Sequence, residues 1–186
     1  NVLITGGGGF LGKVIARKLT GRKLKVTSFS RHWYAQLEAL GVEQIQGDLC
    51  NKADVVKAFQ GMDTIFHVAA KPGIWGSFER YYSVNVTGTQ HVIDACRENH
   101  VARLIHTSSP SVIFDASDME NLDESLAYPA TYLAPYPETK AMAEKLVLDA
   151  AKMGLASIIL RPHLIWGPED NHLVPKILSR AKRLRK

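Results

Sequence analysis

The sequence predicts an α/β fold, a doubly wound sheet of parallel strands, and three observations carry that expectation. Short apolar runs alternate with amphipathic stretches of helical length along all 186 residues. The apolar runs are continuous rather than alternating, as they are when both faces of a parallel sheet are covered. Connections are short except for one irregular stretch at 115–134, and strand–helix–strand alternation on short connections makes a doubly wound sheet.

In order along the chain, Val2–Thr5 (VLIT) is the first strand, and a glycine turn leads into a helix over 11–19. The apolar run KVTSF at 25–29 is the second strand, followed by a helix around 34–40. Strands at 44–47 (QIQG) and 64–68 (TIFHV) flank a helix over 52–59. A long helical stretch over 81–99 leads to the strand LIHT at 104–107. A helix over 136–153 precedes the strand ASIIL at 156–160, and a last helix covers 174–184.

Composition is that of an ordinary globular chain, 46% hydrophobic and 22% charged, long enough to bury one substantial core. No apolar run approaches the roughly 18–20 residues that cross a bilayer, so no membrane segment is expected. The chain opens on strand-like NVLIT without a charged-then-apolar leader. Its two cysteines, Cys50 and Cys96, have neither the number nor the spacing of a disulfide framework or zinc site. The seven histidines show no metal-ligand spacing, so no metal is expected, and the setting is expected to be reducing and cytoplasmic. The net charge of +5 is local, because Lys176, Arg180, Lys182, Arg183, Arg185 and Lys186 supply it; the rest holds 17 basic and 18 acidic residues. A general nucleic-acid binder is basic over a broad face, so no nucleic-acid partner is expected and this stretch reads as a solvated helix face.

Thr5-Gly6-Gly7-Gly8-Gly9-Phe10-Leu11-Gly12 falls between the first strand and the first helix, where a dinucleotide loop must be. Gly6 can make the tight turn, Gly9 lets the backbone approach a pyrophosphate, and Gly12 lets the helix pack close to the sheet. The helix N-terminus then offers free N–H groups to phosphates. A glycine-rich turn without a ligand would have the same local pattern.

The second constellation is YPETK. A proline is tolerated in the first turn of a helix and costs about 3 kcal/mol further in, so Pro137 places Tyr136 at the mouth of its helix. Lys140 lies four residues on, sharing that face. Interconverting a ketone and an alcohol needs hydride transfer at carbon and proton transfer at oxygen; a cofactor supplies the hydride and the protein positions the proton donor. A free tyrosine titrates near about 10, and a neighbouring ammonium lowers that. Lys140 is therefore expected beside the Tyr136 hydroxyl. This is the only Y-x-x-x-K in the chain, and an amphipathic helix with an ordinary tyrosine is the plain alternative.

The spacing Gly6-x-x-Gly9-x-x-Gly12, together with Tyr136 and Lys140, resembles the short-chain dehydrogenase/reductase family in its extended branch, with its Rossmann fold. The likeness covers essentially the whole chain. Within that branch the sequence is most similar to the 3β-hydroxysteroid dehydrogenase-like group, which includes bacterial reductases of long-chain 2-alkyl-3-keto acids. HTSSPSVIFDAS, YPATYLAPYPETKAMAEK and LRPHLIWGPEDNHLVPKIL carry the likeness. It implies an oxidoreductase interconverting a secondary alcohol and a ketone on a bulky apolar substrate, a 2-alkyl-3-keto acid or a 3β-hydroxysteroid. Tyr136 is then the general acid/base, Lys140 its partner, and Ser109 (with Ser108 as the alternative) the hydroxyl on the substrate oxygen.

The resemblance also implies cofactor contacts from Gly6, Gly9, Phe10, Leu11 and Gly12 in the loop, and from Asp48 and Leu49. Further contacts are implied from Ala69 and Ala70 after His67-Val68, from Tyr136 and Lys140, and from Pro162 and His163 after Arg161, while Asn85 matches the family's helix asparagine. Ser30 stands where NAD-binding relatives carry Asp, and Arg31 follows. An acid there bonds the ribose 2′-hydroxyl, whereas an arginine attracts a 2′-phosphate, so NADP(H) is expected in preference to NAD(H). A homodimer is expected. Members of the extended branch run well past this length, so 1–186 reads as an NADP(H)-binding domain carrying Tyr136 and Lys140, most of the C-terminal substrate region lying outside it.

Two rivals stand beside this reading. One is a sugar-nucleotide epimerase or dehydratase on the same scaffold; dehydratases of the branch carry an Asp-Glu pair where this chain has Pro110-Ser111 after Ser109. The other is a non-catalytic redox sensor, whose relatives usually lack the tyrosine or lysine that are both present here. Trp75, Trp166 and the tyrosines at 128 and 132 are candidates to wall an apolar cleft, and ordinary packing would use them equally well.

Overall fold

Every residue of the first strand, β1 (Val2–Thr5), is buried, because its side chains alternate between two apolar layers. Val2 and Ile4 pack with Ala16, Leu19, Val26, Leu37 and Val42 on one face. Leu3 joins Phe29, Val55, Ile65, Val92, Leu104 and Val147 on the other. The structure, a computed structural model, describes residues 1–73, 75–115, 120, 123–170 and 173–184. Around β1 stand β2 (Val26–Ser30), β3 (Glu43–Gln46), β4 (Thr64–His67), β5 (Arg103–Thr107) and β6 (Ser157–Leu160). The pairings are all parallel, and the sheet order is β3-β2-β1-β4-β5-β6. Helices α1 (Phe10–Gly21) and α2 (Ala35–Glu38) supply one layer; α3 (Lys52–Ala58), α5 (Gly88–Glu98) and α6 (Pro135–Lys152) supply the other. Fully burying a large apolar side chain is worth about 1.5–3 kcal/mol, so the two layers clamp the sheet between them.

The chain runs outward from β1 to β3, returns, and runs the other way from β4 to β6. Beyond the carboxyl ends of β1 and β4 the connections therefore diverge and leave a crevice, where ligands of such sheets bind.

The predicted elements reappear with small shifts and two changes of kind. The helix expected around 34–40 contracts to α2, because the side chain of Gln44 grips both backbone groups of Tyr34, at 2.9 and 3.1 Å. The stretch expected as one helix over 81–99 begins earlier, as α4 (Phe78–Tyr82), and passes through a π-helical turn, Ser83–Thr87, before α5. That turn buries Asn85 and Val86. In the long stretch at 115–134, residues 116–119, 121 and 122 lie outside the described residues. A last helix, α7 (Leu173–Leu184), exposes Arg180 and Lys182 of the basic run, while Arg185 and Lys186 lie outside the described residues. No described helix is long and apolar enough to cross a membrane.

Candidate active site

The turn after β1 is shaped by contacts that leave no room for side chains. Gly6 adopts φ +72°, and a Cβ there would lie 2.9 Å from the Cα of Ala69. The Gly9 N–H donates to the Gly6 carbonyl at 3.0 Å, and a Cβ on Gly12 would stand 2.3 Å from that same carbonyl. Helix α1 begins directly after, with Gly9 as its N-cap and no side chain capping it. The first-turn N–H groups of Phe10, Leu11 and Gly12 thus have no partner within the helix, and they sit at its positive end, as a phosphate cradle requires.

A cleft of about 1020 Å³ runs along the carboxyl edge of the sheet. Of the residues expected at a cofactor, Gly6, Gly9, Phe10, Leu11, Gly12, Ser30, Arg31, Asp48, Leu49, Ala69, Ala70, Tyr136, Lys140 and Pro162 all line it, and so does Ser109. His163 does not; it is exposed outside the lining. Ser30 donates to the carbonyl of His32 at 3.0 Å, while Arg31 is exposed on the rim with no ion pair among the described residues. Trp75 and Trp166 stand 89% and 68% exposed, so neither walls the cleft.

At the other end, α6 starts with Pro135, so Tyr136 and Pro137 both fall in its first turn as the proline spacing predicts. The Tyr136 ring meets the buried Tyr81 ring edge-on, with centroids 6.5 Å apart. Burial pushes the Tyr136 phenol above its ordinary value, and a hydrogen bond with Ser109 works the other way. The Ser109 and Ser111 hydroxyls are 2.8 Å apart.

Lys140 is placed differently from expectation. Lys140, only 3% exposed, donates from its ammonium to the Thr107 carbonyl at 2.7 Å and makes no hydrogen bond to the phenol. A buried ammonium must find an acceptor, and the carbonyl ending β5 is available. Burial pulls Lys140 down to about 8, against an opposing pull from the Glu144 carboxylate.

Glu144 continues the row begun by Tyr136 and Lys140, one turn further along α6. It accepts from Ser108, from the Tyr128 hydroxyl at 2.6 Å, and from Arg161 through Nη2 at 2.5 Å and Nε at 3.2 Å. Burial works to raise this carboxyl, but the donors led by Arg161 outweigh it and hold it below the ordinary range. The Ser108 hydroxyl is thereby committed to Glu144, although the residue still lines the cleft, and of the two strand-end serines Ser109 is the one whose hydroxyl meets Tyr136. Tyr128, pushed up to about 12 by burial and the Glu144 charge, belongs to this network and not to a substrate wall.

A second chain of hydrogen bonds crosses beneath the cleft. Thr5 meets His67 Nδ1 at 2.8 Å, His67 Nε2 meets Thr89 at 3.0 Å, and Thr89 donates to the Asn85 carbonyl at 2.6 Å. Asn85 Nδ2 reaches Thr139 at 3.1 Å, and Thr139 donates to the carbonyl of Pro135 at 2.8 Å. Burial drags His67 down to about 3, so it stays neutral and serves as a fixed bridge between glycine turn and helix. Reading the sequence missed Glu144, His67 and Thr139. Only Glu144 left a signal, as the next member of the Tyr136–Lys140 spacing.

Comparison with known proteins follows the same lines. The chain is 46% identical over 189 residues to the 2-alkyl-3-oxoalkanoate reductase of Shewanella oneidensis, covering 98% of this chain and 49% of that protein. It is 39% identical to the mouse (Mus musculus) sterol-4-alpha-carboxylate 3-dehydrogenase, decarboxylating, covering 97% of this chain and 50% of the other. Among solved structures, the UDP-glucose 4-epimerase of Thermus thermophilus, in complex with NAD, superposes with a TM-score of 0.82 at 28% identity, covering 96% of this chain and 60% of that one. The chain spans about half the length of the curated relatives it matches. The sequence pattern of the 3-beta hydroxysteroid dehydrogenase/isomerase family matches residues 3–186, and this protein belongs to that family.

Proposed function

We propose that the protein is an NADP(H)-dependent oxidoreductase that interconverts a ketone and a secondary alcohol on a bulky apolar substrate of the 2-alkyl-3-oxo acid or 3β-hydroxysteroid type. The observation that carries this reading is one cleft holding the uncapped start of α1 at one end and the Tyr136 phenol beside Ser109 at the other. When bound, the nicotinamide cofactor supplies or accepts the hydride. The backbone at Gly9, Phe10, Leu11 and Gly12 would hold its phosphates, and Arg31 on the rim would take a 2′-phosphate.

The chain's own residues manage the proton. Because burial raises the Tyr136 phenol, it carries its proton at neutral pH, as a donor to a ketone oxygen must. Ser109 shares that oxygen and steadies the charge growing on it. Lys140, tied to Thr107, fixes the floor beneath Tyr136 and brings positive charge to the site without a hydrogen bond to the phenol. Residues 1–186 act as the cofactor domain in this reading, and the remaining substrate contacts come from the portion that lies outside the matched half of the relatives. A cytoplasmic, homodimeric enzyme fits it; sedimentation velocity tests the dimer.

The test is NADPH oxidation followed at its absorbance with a 2-alkyl-3-oxo acid, a 3-oxosteroid and a UDP-sugar offered separately. Turnover of a ketone, preferring NADPH to NADH, is expected. Epimerisation of the UDP-sugar without net NADPH consumption would instead assign the sugar-nucleotide chemistry.

A further inference from the structure

We propose that Lys71 is a carboxylate subsite, holding the acid group of a 3-oxo acid while Tyr136 and Ser109 meet its ketone; this rests on the reductase reading above. In such a substrate the carboxylate sits two carbons from the carbonyl, so it must enter the cleft beside Tyr136. Desolvating it without a cation is strongly unfavourable.

Among the described residues, the lysines and arginines that line the cleft are Arg31, Lys71, Arg80 and Lys140. Lys140 is committed to the Thr107 carbonyl. Arg31 follows β2, three places from β5 in the sheet order, which at about 4.8 Å per strand puts its strand end roughly 14 Å away. Arg80 is exposed on α4, whose end is tied through Ser83 to Cys50, on the Asp48 side. Lys71 follows β4, the immediate neighbour of β5, whose end carries Ser109.

Its position is also fixed in advance. The Asn85 amide, presented by the π-helical turn, accepts from the Lys71 N–H at 2.7 Å and donates to its carbonyl at 3.3 Å. The ammonium lies 5.1 Å over the Tyr81 ring, the same ring that meets Tyr136. No acidic side chain pairs with Lys71 among the described residues. A cation held rigidly by its backbone, resting on an aromatic face and lacking a counter-ion, is preorganised for an anion.

Titration calorimetry on the NADP⁺-loaded protein tests this with a 2-alkyl-3-hydroxy acid and its methyl ester. The parent is expected to prefer the acid. In Lys71→Met that preference falls by about tenfold to a hundredfold while NADP⁺ affinity moves less than about twofold, and Lys71→Arg keeps most of it. An unchanged acid-to-ester ratio in Lys71→Met, or a loss of NADP⁺ affinity in step with the acid, overturns the subsite. Acid binding that needs Lys71 but never leads to turnover sinks the reductase reading alone. Turnover with no preference dependent on Lys71 sinks the subsite alone.

Discussion

The two ends of the cleft are made of different material. The glycine-turn end is backbone: Gly9 and Gly12 come close to Gly6, Gly6 comes close to Ala69, and no side chain caps the first N–H groups of α1. The tyrosine end is side chains, in which Tyr136, Ser109, Lys140, Glu144 and Arg161 are held through part-buried hydrogen bonds from three separate elements. The first end depends on what cannot be there, since a Cβ on Gly6 or Gly12 collides with backbone. The second depends on what must be there, since each buried polar group needs its partner. Substitutions should therefore fail in different ways at the two ends.

The largest effect is expected at the tyrosine. Tyr136→Phe keeps the ring and its contact with Tyr81 but removes the proton, so kcat should drop by about 10²–10⁴-fold with cofactor affinity kept, as stopped-flow and fluorescence titration would measure. Near-normal turnover in that variant would break the assignment of this end as the chemical one. Next comes Glu144→Ala, which leaves the partly buried Arg161 guanidinium without its carboxylate and frees Ser108; a loss of about 1–3 kcal/mol in denaturant unfolding is expected.

At the opposite end, Gly12→Ala drives a methyl group into the Gly6 carbonyl, and about 1–3 kcal/mol of stability should go, with cofactor binding failing in the same variant. A Gly12→Ala protein that binds cofactor normally would remove the contrast between the ends. Lys140→Met sharpens it by sign. The Lys140 pKa falls from 10.5 in the unfolded chain to about 8 in the fold. Between those values the unfolded chain holds the extra proton, so wild-type stability rises with pH through that window, and below it the burial cost is fully present. The Met variant should lack that rise, and near pH 7 it should unfold no earlier than wild type while turning over far more slowly; melting curves taken across the window show it. The smallest effect belongs to Arg31→Ala, where an exposed guanidinium is lost and the ratio of NADPH to NADH preference should fall about tenfold.

The same division explains what could be read in advance. The alternation of strands and helices and the glycine turn follow from local pattern: continuous apolar runs, and glycines at a tight turn, so β1, α1 and the loop between them emerged with nearly correct ends. Tyr136 and Lys140 were legible as a spacing, yet the direction of the Lys140 ammonium was not, because it depends on an empty carbonyl on β5 thirty-three residues away. Glu144 and Arg161 find each other only after α6 and β6 pack, and His67 joins Thr5 and Thr89 from three elements. No periodicity in one segment encodes such meetings. The apolar run at 156–160 forms β6 as its pattern suggests; among the described helices α6 packs against it, and Ile158 and Leu160 stand 55% and 50% exposed in this chain.

The π-helical turn at Ser83–Thr87 works as a phase shifter. An α-helix advances about 100° per residue, so one residue more or fewer rotates everything beyond it by that angle. With the wide turn in place, Tyr81 before it and Asn85 within it both face inward, and Val92, Ile93 and Cys96 after it still meet the core. Deleting any single residue of the turn would regularise the helix and satisfy its backbone perfectly well. It would also swing either the tyrosine and asparagine or the whole apolar stripe of α5 out of place, so a locally tidier helix would leave a protein that either cannot fold or cannot aim its lysine.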